Sequence, residues 1–357
     1  MTAAELAELG ESLGLDAVGA APAAPYAETE RHIRERNERG LFAGMRFTMA
    51  QPEVSCHPET LLPDARTVVS AALCYYTLPA RAGTGEARAR AKTPKESLRS
   101  AGSSTGSDEG TLSRYTWSDR YAELREKLDA LGRRLGGAYR VLVDANQHVD
   151  REAAFRAGLG FYGKNTLLIT QRHGSWVVLG TLITDVELEA AVPLGTDCGS
   201  CTLCIEACPT GALDEPGTLD ANRCLSFWTQ APAPIPTEYR EAIGASVYGC
   251  DICQDVCPWN RGIEKRRADE PLPNGAEPTV SLVDWLEADG AALVERYDRL
   301  YVPRNDPRYL RRNALVAAGN VGGAEHRPLL ERFAADEDEL LREHAQWSLA
   351  RLAERLG

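Results

Sequence analysis

Cys198-Gly-Ser-Cys201-Thr-Leu-Cys204-Ile-Glu-Ala-Cys208-Pro209, then Cys224, then Cys250-Asp-Ile-Cys253-Gln-Asp-Val-Cys257-Pro258, hold eight of the ten cysteines in this 357-residue chain. The first run has the two-cluster ferredoxin spacing, in which the fourth cysteine, before proline, serves the other cluster. The reason is geometric. Three thiolates on a tight loop reach three corners of a cube, while a cysteine one turn further on points away. The spacing therefore assigns Cys198, Cys201, Cys204 and Cys257 to one 4Fe–4S cluster, and Cys208, Cys224, Cys250 and Cys253 to a second. The second run lacks its middle cysteine, because Gln254-Asp255-Val256 stands there, and Cys224 makes up the set of four. Paired Cys-x2-Cys also binds zinc, but the Cys-Pro that ends each run is a ferredoxin trait. Disulfides belong to oxidising compartments, and nothing else here points to one.

The remaining composition bounds the class. With 43% hydrophobic and 26% charged residues, the chain reads as a soluble globular protein of two or three domains. No apolar run approaches the ~20 residues that span a bilayer. Met1-Thr2-Ala3-Ala4-Glu5-Leu6 lacks the basic start and apolar core of a signal peptide. The cytoplasm is the expected compartment, and it would keep the thiols reduced. Formal charge is −12; eight thiolates (−8) on two 2+ cores (+4) bring it to about −16. Such a body repels nucleic acid in bulk, so a nucleic-acid partner requires a local basic face.

Along the chain, Leu6, Leu9 and Leu13 give Ala3–Leu15 a helical period, and Thr67–Tyr76 reads as an interior strand. Residues 83–112, with Ser100-Ala-Gly-Ser-Ser-Thr-Gly-Ser107, read as a solvated loop. A helix at Asp119–Leu135, a strand at Tyr139–Asp144 and a helix at Asp150–Ala157 follow. A Gly-rich turn (Gly158–Gly163) then precedes strands at Thr166–Thr170 and Trp176–Ile183. This alternation predicts an α/β layer over roughly 1–190. The cluster segment spans about 195–262 and contains a stiff excursion, Ala231-Pro-Ala-Pro-Ile-Pro236; Pro271–Pro278 reads as a linker. In the tail, Leu310-Arg-Arg-Asn-Ala314 recurs as Leu341-Arg-Glu-His-Ala345, a period that fits a HEAT-type helix pair.

Two clusters in series conduct electrons without choosing a substrate. No Gly-x-Gly-x-x-Gly follows a strand, and no Asp-x-His-x-x-Gly is present to offer cobalamin a histidine. The six histidines are scattered and read as packing or surface residues. Cys56 and Cys74 read as structural. The residues alone define an iron–sulfur redox protein with an unnamed partner cofactor.

Further blocks carry a resemblance. These are Val143-Asp144-x4-Val149-Asp150-Arg151, Ala157-Gly-Leu-Gly-x-Tyr-Gly-Lys-Asn165, Gly174-Ser-Trp176 with Leu179-Gly180, Leu61-Leu-Pro-x-Ala-Arg66 and Arg223-Cys224-Leu-Ser226. With the cysteine pattern and the paired tail helices, the chain resembles the epoxyqueuosine reductases over nearly its whole length. That resemblance implies an α+β protein in three parts. They are a nitroreductase-like α/β cobalamin-binding domain (1–192), a ferredoxin-like domain with two 4Fe–4S clusters (193–270), and HEAT-like helices that contact tRNA (271–357). It implies reduction of the epoxide on a tRNA wobble base to the cyclopentene, using cobalamin and the clusters.

Carried over, Asp144 matches the family's proposed proton donor; by residue type alone, an aspartate at a strand end caps a turn. Val149, Asp150 and Arg151 match a stretch that contacts cobalamin, where Asp150 also suits a helix N-cap. Ser226 and Gly249 match positions near the corrin, and otherwise read as loop. Arg304, Arg308, Arg311 and Arg312 are the expected tRNA contacts, the first three sharing a helical face; a solvated basic face is the plainer reading. The family's proline after the aspartate is replaced here by Asn146-Gln147-His148, and the stretch Ser113–Tyr121 lacks a usual glycine and histidine. Expected partners are tRNA and a low-potential donor of the flavodoxin or ferredoxin type, with the enzyme monomeric and off the membrane. Two rivals are a corrinoid iron–sulfur reductase of a small molecule and a non-catalytic electron carrier.

Overall fold

The computed structural model describes residues 1–77 and 107–357. The expected loop at 83–112 therefore lies outside the described residues up to 106. Its last residues depart from the expectation: Glu109–Leu112 form a strand.

The N-terminal part is built on a four-stranded sheet ordered β1 (Ala17–Pro22), β2 (Thr67–Cys74), β7 (Val177–Thr184), β4 (Tyr139–Val143). Every pairing is antiparallel, Thr67 facing Thr184 and Val143 facing Gly180. The alternation of helices and strands thus gives α+β rather than parallel βαβ units. All eight residues of β2 are buried, the mark of a central strand covered on both faces. Helix Arg120–Leu135 starts at Asp119, whose carboxylate accepts from the Ala122 amide, and lays Leu124, Leu128 and Leu131 on the sheet. Strands β5 (Gly160–Tyr162) and β6 (Leu168–Thr170) form a separate ribbon.

Strand β3 (Glu109–Leu112) sits between β8 (Ser246–Tyr248) of the cysteine-rich segment and β9 (Thr279–Ser281) of the tail. Leu112, Tyr248, Trp285 and Leu315 share one core, so the three parts are joined by a common sheet and common packing. In the tail, helices Arg308–Val321 and Glu339–Leu356 pack side by side, and Arg327–Ala334 packs on the latter. The repeated residues turn inward. His344 accepts the Ile235 amide at 3.1 Å, and burial holds its imidazole down to about 4, neutral at physiological pH. Among the described residues, no helix is long and apolar enough to cross a membrane.

Candidate redox and substrate site

Cys204 lies on the short helix Leu203–Ala207 and Cys253 on the short helix Ile252–Asp255, and these two helices pack together. The eight cysteines fall into two groups. Burial raises the Cys204 thiol to about 11, with further upward contributions from Cys198, Cys257 and Cys201. Burial likewise raises Cys250 to about 12, and there the neighbouring thiols are Cys224 and Cys208. Cys253 is also raised, first by burial, then by Cys250 and Cys224, and next by Cys204 of the other group. Cys204 and Cys253 lie where the two groups meet. Among the described residues, no three His, Cys, Asp or Glu side chains converge to hold a single metal ion.

The N-terminal part grips this segment. Lys164 donates to the carbonyls of Gly199 (2.7 Å) and Cys201 (3.0 Å). Asn260, fully buried, accepts from the Ser175 amide (2.8 Å) and donates to Ser175 Oγ (3.0 Å). Ser175 and Tyr75 both donate to Gln254 Oε1. Gly174 has φ +58 and a Cβ there would strike Asn260, which explains the glycine of Gly174-Ser-Trp176. Arg114 joins the seam as well. It pairs with Asp251 (3.1 Å) and Asp255 (2.9 Å), its guanidinium 4.9 Å from the Trp176 ring.

Asp144 ends β4 with φ +49, a strained backbone for a non-glycine residue and one that concentrates at functional sites. Its side chain is exposed. Partial burial of the carboxyl raises its pKa above the usual value, and Arg125 opposes that rise. Arg125 itself donates to the Val143 carbonyl at 2.6 Å.

Asp150 opens helix Asp150–Arg156 but does not cap it, since Val149 holds the cap position. Its carboxyl instead accepts from Thr181 Oγ1 of β7 at 3.1 Å. Burial raises it to about 8; the Thr181 bond and Arg151 oppose, and Asp144 reinforces. Two residues without a local sequence signal lie near Asp144. The phenols of Tyr121 and Tyr248 are raised first by burial, and both feel Asp144.

Gly249 has φ +73 and packs against Ser113, whose hydroxyl is buried without a protein partner. Ser226 sits on the Leu225–Trp228 helix just after Cys224; its carbonyl accepts from Thr229 and Gln230.

The tail arginines do not form one face. Arg304 lies in a 3-10 turn ahead of the helix, at φ +56. Arg308 is exposed but paired with Asp306 and Asp338, and Arg311 donates to the Ala288 carbonyl. Arg312 is fully buried and donates to the carbonyls of Ala231, Ala233 and Trp228. Arg312 is therefore corrected from a tRNA contact to an anchor of the proline-rich excursion, because a guanidinium enclosed by carbonyls cannot meet a phosphate.

Fold and site together define a two-cluster iron–sulfur oxidoreductase. Residues 197–260 match the 4Fe-4S double cluster binding domain family. The chain is 32% identical to an epoxyqueuosine reductase of Lactococcus garvieae over 98% of this chain and 95% of that one. Among solved structures it is similar to the epoxyqueuosine reductase of Bacillus subtilis with a catalytic aspartate loop swung out of the active site. That match has 31% identity, a TM-score of 0.83, and covers 99% of this chain and 92% of the other. An epoxyqueuosine reductase with a tRNA-Tyr epoxyqueuosine-modified stem loop matches equally, at 31% identity, TM-score 0.83 and the same 99% and 92% coverage. The chain belongs to the epoxyqueuosine reductase family.

Proposed function

We propose that this chain reduces the epoxide of epoxyqueuosine at the tRNA wobble position, giving queuosine, water and no other product. The observation that carries the reading is kinship over nearly the full length of both chains. The reaction takes two electrons and two protons. The two cysteine groups would hold 4Fe–4S clusters, Cys198/201/204/257 outermost and Cys208/224/250/253 toward Asp144. The division of labour follows the three parts: cobalamin and chemistry in 1–192, clusters in 193–270, and tRNA contact from HEAT-like helices in 271–357.

The groups around Asp144 suit a large cofactor rimmed with amides. A carboxyl held neutral up to about pH 8, as Asp150 is, both donates and accepts, and amides require both. Ser113 Oγ beside Gly249 is a second buried group with hydrogen-bonding capacity to spare. Val149, Asp150, Arg151, Ser226 and Gly249 would hold cobalamin, which supplies a strongly reducing centre at the epoxide. Asp144 would present the proton: burial favours its acid form, and its exposed place after β4 leaves it within reach of a large substrate. Tyr121 and Tyr248, held neutral by burial, line the same space without competing charge. Arg304, with Arg308 and Arg311 beside it, remains the proposed contact to the anticodon stem loop.

The test is anaerobic reconstitution with iron, sulfide and cobalamin, followed by turnover of epoxyqueuosine-containing stem loop by wild type and Asp144→Asn. Absence of queuosine from wild type defeats the proposal. Full turnover by the variant removes only the acid role.

A further inference from the structure

We propose that Trp259 and the exposed cations Arg172, Arg261, Lys265 and Arg266 form the landing surface for an acidic one-electron carrier protein of the flavodoxin or ferredoxin type. This rests on the iron–sulfur reading above and extends it to the partner that delivers the electrons.

Trp259 follows Cys257-Pro258 and is 36% exposed, a large apolar ring left at the surface. Its inner edge meets Phe161, with ring centroids 5.0 Å apart. Phe161 in turn packs with Ile169 and Cys257, and Cys198 lies against them. A short apolar path therefore runs from solvent to two members of the outer cysteine group.

The cations belong to the helix that follows that ring and to the turn the helix contacts. Helix Arg261–Arg266 begins two residues after Trp259, and its Arg261, Lys265 and Arg266 are exposed. Arg266 donates to the carbonyl of Arg172, and the backbone of Trp259 abuts Gly174, two residues further on. The opposing charge on the helix is Glu264, which is half-buried. Such a face on a chain of net charge −12 is where an acidic protein is attracted and elsewhere repelled. Local charge complementarity raises association rates and fixes orientation. Transient redox complexes use small interfaces, so one aromatic ring with four cations is of the right scale. Each carrier gives up one electron and leaves oxidised; two deliveries, with two protons, convert the epoxide to alkene and water.

The test compares wild type with Arg261→Glu/Lys265→Glu, both full-length and reconstituted with iron and sulfide. Stopped-flow absorbance follows cluster bleaching by flavodoxin hydroquinone or by dithionite. The second-order rate with flavodoxin should fall about tenfold or more at low salt, and the difference should vanish as added salt screens the charges. Dithionite bleaching and affinity for an unmodified anticodon stem loop should stay within about twofold. Trp259→Ala should weaken the flavodoxin reaction at all salt concentrations. An unchanged flavodoxin rate overturns the assignment. So does a parallel loss of stem-loop affinity, which would make this face an RNA surface. Failure of either reductant to bleach the wild type defeats the iron–sulfur reading itself, and is distinguishable on that ground.

Discussion

The ammonium of Lys164 and the carbonyl of Cys201 are 3.0 Å apart, and the same ammonium reaches Gly199 at 2.7 Å. A residue of the N-terminal part thus fixes the first cysteine loop from outside. Such charge-assisted bonds contribute about 1.5–3 kcal/mol where they are shielded, and less here because Lys164 is only half-buried. Lys164→Met keeps the stem and removes the donors. It is expected to lower iron and sulfide bound per chain after reconstitution by about twofold or more, with the unfolding midpoint of the remainder little changed. Wild-type iron content in the variant would show that the loop holds itself.

The pH dependence of turnover should carry the mark of Asp144. Its acid form is the active one, so the rate falls as pH rises through its folded pKa. Arg125 holds that pKa down against burial. Arg125→Gln should therefore move the alkaline limb of the pH–kcat profile to higher pH. Asp144→Asn should remove the limb together with about 10²–10⁴-fold of the rate. A limb that stays in place in Arg125→Gln would assign it to another group.

Asp150 makes a stability prediction of definite sign. Its pKa is about 3.9 in the unfolded chain and about 8 in the fold. Folding stability is therefore greatest below the unfolded value, falls between roughly pH 4 and 8, and is level above. Asp150→Asn keeps an acceptor for Thr181 without the charge. At pH 8 it should stabilise the cofactor-free protein by several kcal/mol, up to about 5 for a four-unit shift, with little gain at pH 4. Thermal melts of the two proteins across that range decide it; a gain independent of pH would show that ionisation is not the cause.

The tail separates two arginines that look alike. Arg312→Ala leaves three carbonyls of the 228–233 stretch without donors and should cost about 3 kcal/mol or more. Arg304→Ala should leave the melting temperature unchanged within a degree or two and weaken stem-loop binding several-fold, with a shallower salt dependence. Stem-loop titrations at two salt concentrations, alongside melts, test both. Equal stem-loop affinity in Arg304→Ala would place the RNA contact elsewhere.

What was legible in the sequence was chemistry carried by spacing. Asp144 at a strand end and the Asp119–Leu135 helix are local patterns, and the structure places both where those patterns predict; the cysteine grouping is read from spacing in the same way. The misread arginines show the limit. Helical spacing was extended across Pro307, although proline disfavours helical conformation in the residue before it, and the helix starts at Arg308. Nor does spacing distinguish outward from inward on a helix buried nearly all round, as Arg312 shows. Strand β3 was hidden because its partners, Ser246–Tyr248 and Thr279–Ser281, are remote in sequence. Tyr121 and Tyr248 meet Asp144 only through that same tertiary assembly.

The placement of β3 also orders the making of the protein. Thr111 can pair with Thr279 only after the entire cysteine-rich segment has left the ribosome, and the core containing Leu112 closes only with helices later still. Long-range pairings of this kind form late. The thiols are thus complete and accessible before the shell that buries them is finished, leaving an interval for iron and sulfide to be inserted. A chain truncated before Thr279 would keep all eight cysteines and lose the β9 edge that pairs with β3.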